Sequence, residues 1–134
     1  MEKMVPLQVK ADMPLADEFR VKWTPTIILL DYCGKEHHRT VGFFPPEEFI
    51  PNLLLGMGKV AFDGDNFAEA IVLFERLLAD FPRSGAAPEA IFLCGVSRYK
   101  SSHDGKPLKE AYEKLKADFP QSEWTMRAQP YSLL

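Results

Sequence analysis

Apolar residues are spaced differently before and after residue 56, and the two spacings predict two kinds of structure. Before residue 56, short apolar runs alternate with glycine and proline, which is typical of strands joined by turns. After it, apolar residues recur at intervals of three and four, the period of amphipathic helices. The sequence therefore predicts an α/β module over residues 1–55 and an all-α module over residues 56–134.

The first half of the α/β module predicts a strand, a helix and a second strand. The stretch "MVPLQV" at residues 4–9 has the length and apolar content of a strand, and residues 13–21 place Leu15 and Phe19 on one helical face. The stretch "TIILLDY" at residues 26–32 is a continuous aliphatic and β-branched run. We expect this strand to be buried on both faces.

The second half of this module predicts a return strand and a helix. Residues 36–44 are more polar than the preceding strand, which places them nearer a sheet edge. Pro46, followed by Glu47 and Glu48, is typical of a helix start, where the dipole favours acidic residues. Proline inside a helix lacks the amide hydrogen that the helix requires. The helix is therefore predicted to be kinked or restarted at Pro51.

The all-α module contains three predicted helices and an internal repeat. The helices cover "FAEAIVLFERLLADFP", "PEAIFLCGVSRYK" and "PLKEAYEKLKADFP". The stretch "FERLLADFPRS" at residues 74–84 recurs as "YEKLKADFPQS" at residues 112–122, with seven of eleven positions identical and an offset of 38 residues. Self-similarity of this kind indicates stacked units that bury their apolar faces on one another.

This repeat resembles the tetratricopeptide repeat over residues 56–130. That family has helix pairs of about 34 residues, with small residues where the helices cross and a proline after the second helix. The matching residues are Ala70, Phe74, Pro82, Gly95, Tyr99, Tyr112 and Pro120. The resemblance implies a groove lined by the first helix of each pair. An ordinary helical bundle without a concave face is the alternative interpretation of the same pattern.

The α/β module resembles the C-terminal half of a thioredoxin fold. Thr24-Pro25 matches the loop in which that family carries a cis proline, and Thr40-Val41-Gly42 matches its last strand. The resemblance implies a cis peptide bond at Pro25 and a backbone edge that can pair with a peptide. Trp23, immediately before this loop, becomes a candidate for peptide contact.

The chain departs from thioredoxins in its cysteines and in the order of its strands. It has no Cys-x-x-Cys motif, and Cys33 and Cys94 are interpreted as reduced thiols. The strands and helix that precede the matched half in that family are also missing. One of three alternatives is therefore expected to hold: the native chain extends upstream, a second copy supplies the missing strand pairing, or the first strand rearranges.

Charge, hydropathy and the placement of histidines argue against several classes of function. The net charge is −3, and acidic and basic residues are mixed along the chain without a basic stripe, which argues against nucleic-acid binding. No segment is apolar enough for a signal peptide or a membrane span, so a cytoplasmic protein is expected. His37 and His38 are neighbours in a strand and point to opposite faces, which favours surface histidines over a metal site. We expect neither a metal nor a cofactor.

The sequence as a whole predicts a non-catalytic module that binds proteins or peptides. Proteins that join these two modules are similar in layout to bacterial chaperone-like proteins that hold unfolded clients, so a chaperone-like or scaffold role is expected. The alternatives are a thiol-disulfide oxidoreductase whose catalytic half lies outside this chain and a structural homodimer formed through the exposed sheet edge. The candidate peptide-binding residues are Trp23, Thr24, Pro25, Asn52, Lys59, Arg98 and Tyr99.

Overall fold

A computed structural model describes residues 4–134, which form mostly helices and one small antiparallel sheet. In this part of the chain the α-helices are α1 (Pro14–Glu18), α2 (Pro46–Asp63), α3 (Phe67–Asp80), α4 (Ala87–Ser102), α5 (Lys106–Asp118) and α6 (Glu123–Ala128). The strands are β1 (Thr26–Leu30) and β2 (Glu36–Val41), and a 3₁₀ helix covers Gln129–Leu133. The α/β part thus precedes an all-α part, as the sequence predicts.

The prediction of a first strand at residues 4–9 is wrong. Residues 4–10 form neither strand nor helix, and Val5 is 89% exposed. Within residues 4–134 the sheet contains β1 and β2 alone, so this segment has no strand beside it with which to pair. An extended apolar segment without a partner cannot satisfy its backbone groups in a ladder.

Helix α1 is shorter than predicted because the chain turns at Arg20. This residue has a positive φ of 56°, and the Val21 amide donates to the Ala16 carbonyl at 2.9 Å. A left-handed residue followed by this bond is the usual way in which a helix ends.

Strands β1 and β2 form a hairpin that packs one face on α2. Leu29 pairs with His38 in the antiparallel ladder, and both lie against Gly56, where an added Cβ would be 2.9 Å from Leu29 Cδ2. Leu29 is the buried residue of β1, whereas Leu30 is exposed. The prediction that β1 is buried on both faces is therefore wrong, since only one face is covered.

The chain leaves the sheet at Gly42, two residues before the predicted end of β2. Gly42 has a positive φ of 98°, and its amide donates to the Pro25 carbonyl at 2.8 Å. This bond ties the end of β2 to the residue before β1. Phe43 then lies exposed outside the sheet.

Helix α2 continues through Pro51 and does not restart there. Pro51 is buried, and the neighbouring Asn52 side chain donates to the Glu48 carbonyl at 2.9 Å. Burial of the proline ring and this extra bond offset the amide hydrogen bond that proline cannot make. The boundary predicted between residues 55 and 56 falls inside α2.

The three helices predicted in the second part are confirmed as α3, α4 and α5. Short turns join successive helices, and α2 packs on α3, α3 on α4 and α4 on α5. The close approaches occur at glycines: an added Cβ at Gly58 would overlap the Phe74 ring, and one at Gly95 would lie 2.7 Å from Ala111 Cβ. The absence of a side chain at Gly58 therefore permits the close packing of α2 on α3.

The sequence repeat is also a repeat of backbone geometry. The C-cap residue of α3 is Phe81, with φ −134° and ψ 56°, and the C-cap residue of α5 is Phe119, with φ −138° and ψ 60°. After each end, the serine three residues on donates its amide to that phenylalanine's carbonyl, Ser84 at 3.2 Å and Ser122 at 3.1 Å. The identical Ala-Asp-Phe-Pro sequences at residues 79–82 and 117–120 therefore end their helices in the same way.

Candidate functional site

Helices α2, α4 and α6 contribute to one shared surface. Helix α4 contacts α2 on one side and α6 on the other. Lys59 of α2 forms an ion pair with Glu89 of α4 at 3.2 Å, and Phe92 of α4 lies against Trp124 of α6 with ring centroids 5.2 Å apart. These contacts join α2, α4 and α6, while α3 packs on α2 and α4, and α5 packs on α4 and α6.

An open groove lies between the last turns of α4, the start of α5 and the 3₁₀ helix, and we call it the α4 groove. Its volume is about 450 Å³, within the range of sites that accept ligand side chains. Its lining residues are Val96, Tyr99, Lys100, Gly105, Leu108, Pro130, Tyr131 and Leu134. This lining is apolar and aromatic with one basic side chain and no acidic one, so it suits an apolar group with a negative charge beside it.

Aromatic packing fixes one wall of the α4 groove. The Phe92 ring lies 5.2 Å from the Trp124 ring and 5.9 Å from the Tyr131 ring, centroid to centroid. These contacts hold α6 and the 3₁₀ helix against α4. Sequence reasoning did not select Phe92, although it lies four residues before Val96 and seven before Tyr99. That spacing places all three on one helical face.

Asn52 and Lys59 lie on α2 close to the hairpin. The Asn52 side chain donates to the Glu48 carbonyl and lines a small cavity between the hairpin and α2, together with Leu29 and His38. The Lys59 ammonium lies 3.4 Å from His38 Nδ1 and pairs with Glu89. Both predicted binding residues are thus engaged inside the molecule.

Arg98 and Tyr99 are adjacent in sequence, but their side chains contact different parts of the molecule. The Arg98 guanidinium forms an ion pair with Glu75 of α3. Tyr99 is 39% exposed and lines the α4 groove. Of the residues predicted to bind peptide, the structure places Tyr99 in this groove.

Trp23, Thr24 and Pro25 lie at the start of β1 and take no part in lining the α4 groove. The Thr24–Pro25 peptide bond is cis, as the sequence predicts. The Trp23 side chain is 74% exposed, and its carbonyl accepts a hydrogen bond from the Thr26 hydroxyl. These residues form a second exposed surface at the open end of the hairpin.

The prediction of two surface histidines is wrong. The His37 side chain is 5% exposed, and its ring nitrogens lie 2.8 Å from Asp31 Oδ2 and 2.7 Å from Asp63 Oδ2. His38 faces α2, and burial lowers its pKa, with Lys59 adding to that effect. The His38 ring is covered because the hairpin packs on α2, whereas the His37 ring is flanked by the Asp31 and Asp63 carboxylates. No cluster of metal-ligating side chains occurs within residues 4–134.

The two cysteines lie in different environments. Cys33 is exposed in the hairpin turn, and Cys94 is buried in α4, where burial raises the pKa of its thiol. A raised pKa reduces the thiolate fraction at neutral pH, and the thiolate is the reactive form. Neither cysteine lies at a helix N-terminus.

We expect the chain to give no turnover in an insulin-reduction assay with dithiothreitol. The reaction needs an activated dithiol, and Cys94 is buried in an apolar helix. The assay measures precipitation of the insulin B chain, with a Cys-x-x-Cys oxidoreductase as the positive control. Turnover that persisted after Cys33→Ala and Cys94→Ala substitution would contradict this expectation.

No protein-family model matches the chain, and comparisons with curated proteins and with solved structures return no match. Among the described residues, no helix combines the length and the apolar character needed to cross a membrane.

Proposed function

We propose that this chain is a non-catalytic protein-binding module, with a chaperone-like or scaffold role. In this proposal, α2 with α3 and α4 with α5 are tetratricopeptide-like pairs, and the hairpin with α1 belongs to a partial thioredoxin-like unit. The repeated helix ends and the shared surface of α2, α4 and α6 support the first assignment. The order of elements and the Thr24-Pro25 step support the second.

The α4 groove is the observation that carries the proposal. Tyr99 and Tyr131 offer rigid aromatic surface, and aromatic residues that bury large areas dominate binding energy at interfaces. Lys100 supplies a positive charge in a lining that has no carboxylate side chain. The ligand chemistry that fits is an extended peptide segment with apolar side chains and a neighbouring acidic residue.

Binding can be tested with a fluorescein-labelled octapeptide of alternating leucine and glutamate. We expect Tyr99→Ala to weaken its binding by about 1 to 2 kcal/mol, roughly 5- to 30-fold in Kd, as for other interface tyrosines. Fluorescence anisotropy measures the Kd. The charge-reversed peptide of leucine and lysine should bind more weakly than the acidic one because Lys100 repels it.

Val72→Ala is the matched control, since Val72 is exposed on α3 and lies outside the α4 groove. It should leave the Kd unchanged. Equal binding by wild type and Tyr99→Ala, or equal binding of the acidic and basic peptides, would contradict the proposed site.

A further inference from the structure

We propose that His37 is a protonation-dependent latch that holds the β hairpin against α2. The ring spans two elements: Nε2 lies 2.8 Å from Asp31 Oδ2 in the hairpin, and Nδ1 lies 2.7 Å from Asp63 Oδ2 at the end of α2. The side chain is 5% exposed because the two carboxylates flank the ring.

The geometry requires the doubly protonated ring. A carboxylate only accepts hydrogen bonds, and a neutral imidazole has one N–H to donate. His37 can therefore satisfy Asp31 and Asp63 together only as an imidazolium. When it loses a proton, one carboxylate oxygen faces a ring nitrogen lone pair at hydrogen-bond distance, and that contact becomes repulsive.

Asp31 is held in place and cannot turn away from the ring. Its other carboxylate oxygen, Oδ1, accepts hydrogen bonds from the backbone amides of Cys33 at 2.9 Å and Lys35 at 3.0 Å. The hydrogen bond to His37, with these amides, lowers the pKa of Asp31, so the carboxylate stays ionised. Hydrogen bonds to Asp31 and Asp63 raise the pKa of His37 in turn.

The charged groups around the latch belong to the hairpin and α2. Asp31 and Asp63 face His37 directly, whereas Glu36 pairs with Arg39 on the hairpin. The next histidine faces a different group of charges: His38 lies beside Lys59, which pairs with Glu89 of α4. Burial lowers the pKa of His38, whereas hydrogen bonds to Asp31 and Asp63 raise the pKa of His37, so the pKa values of the two adjacent histidines shift in opposite directions.

The direction of the pH effect follows from the raised pKa. The unfolded histidine titrates at about 6.5. The stabilisation from His37 is therefore complete below that pH and is lost as the pH rises through the raised folded value. Loss of the latch removes the His37–Asp63 contact that ties the hairpin to the end of α2, whereas the packing of Leu29 on Gly56 is apolar and does not depend on pH. His38 also packs on Gly56 and lies beside Lys59, but its pKa is lowered, so it titrates at lower pH than His37.

The test is an NMR titration of the intact chain with selectively labelled histidine, combined with amide exchange of β2. We expect the His37 ring to titrate above about 6.5, the ordinary value of an unfolded histidine. His103 lies exposed in the turn after α4. Once intrinsic pH dependence is subtracted, protection of the β2 amides should fall several-fold as His37 deprotonates. Protection of α5 over the same range should not change.

Two variants separate the latch from general stability. Asp63→Asn keeps the size of the side chain but removes one carboxylate, so the His37 titration should move down and β2 protection should depend less on pH. His103→Asn should leave both unchanged. A His37 ring that titrates at or below about 6.5, the value of an unfolded histidine, would overturn the proposal, and so would β2 protection that follows α5 at every pH. The wild-type titration decides the question even where a variant fails to fold.

Discussion

Replacing Phe74 by alanine is expected to lower the free energy of unfolding by about 3–5 kcal/mol, the usual cost of removing a buried phenylalanine. Phe74 is fully buried and belongs to the larger core cluster, with Leu54 of α2 and Leu77 of α3. The lost ring leaves a cavity between helices whose backbones are already close at Gly58. Urea denaturation followed by circular dichroism gives the free energy of unfolding.

Val72→Ala is the control in the same helix. Val72 is 64% exposed, so its loss should change the free energy of unfolding by less than about 0.5 kcal/mol. If both variants lost the same stability, α3 would not be anchored to α2 by the Phe74 ring, and the packing of this helix pair described above would be wrong.

Gly58→Ala is expected to destabilise the protein by about 1–3 kcal/mol, the range for overpacked cores. This is opposite in sign to the gain of up to about 1 kcal/mol that alanine gives over glycine within an exposed helix. The reason is steric, because the added Cβ would overlap the Phe74 ring, which is itself fully buried. The same urea titration measures the change.

Two further variants test this steric explanation. Gly64 follows α2 at a negative φ of −87°, and the nearest atom to an added Cβ is the Val60 carbonyl oxygen at 3.5 Å. Gly64→Ala should therefore cost little. In the double variant Gly58→Ala with Phe74→Ala, the methyl group enters the space left by the ring, so the cost should be smaller than the sum of the two single changes. A strictly additive result would exclude a direct clash.

The helices after residue 66 could be predicted from the sequence because their signals are local. Apolar spacing located α3, α4 and α5, and the repeated "ADFP" indicated that α3 and α5 end alike, which the matching geometry of Phe81 and Phe119 bears out. The hairpin strands were also located, since a glycine turn between two β-rich runs is a short-range pattern.

The errors concern residues whose environment depends on distant parts of the chain. A strand at residues 4–9 needs a neighbour to pair with, and β1 needs a second covering layer to be buried on both faces. The described chain supplies neither. Likewise, His37 and His38 were expected at the surface because strand alternation gives no information about distant groups. Helix α2 covers His38, and the Asp63 carboxylate from the end of α2 reaches His37.

The candidate site was predicted in part for the same reason. Tyr99 lies in the α4 groove, as expected for a first-helix residue, but Lys59 is held by Glu89 and His38 near the hairpin. Tyr131, the aromatic residue that the end of the chain contributes to the groove, packs on Phe92 beside Trp124, and this contact depends on how α6 folds back on α4. No local pattern reports such an arrangement.

The central claim is that the α4 groove binds an extended peptide with acidic and apolar side chains. The most direct test is an amide chemical-shift map of the isotope-labelled chain titrated with the leucine-glutamate octapeptide. The account predicts shifts concentrated at Val96, Tyr99, Lys100 and Tyr131, with α3 unaffected. Saturable shifts confined to β1 and Trp23 would move the binding surface to the hairpin, and an unchanged spectrum at millimolar peptide would contradict the claim outright.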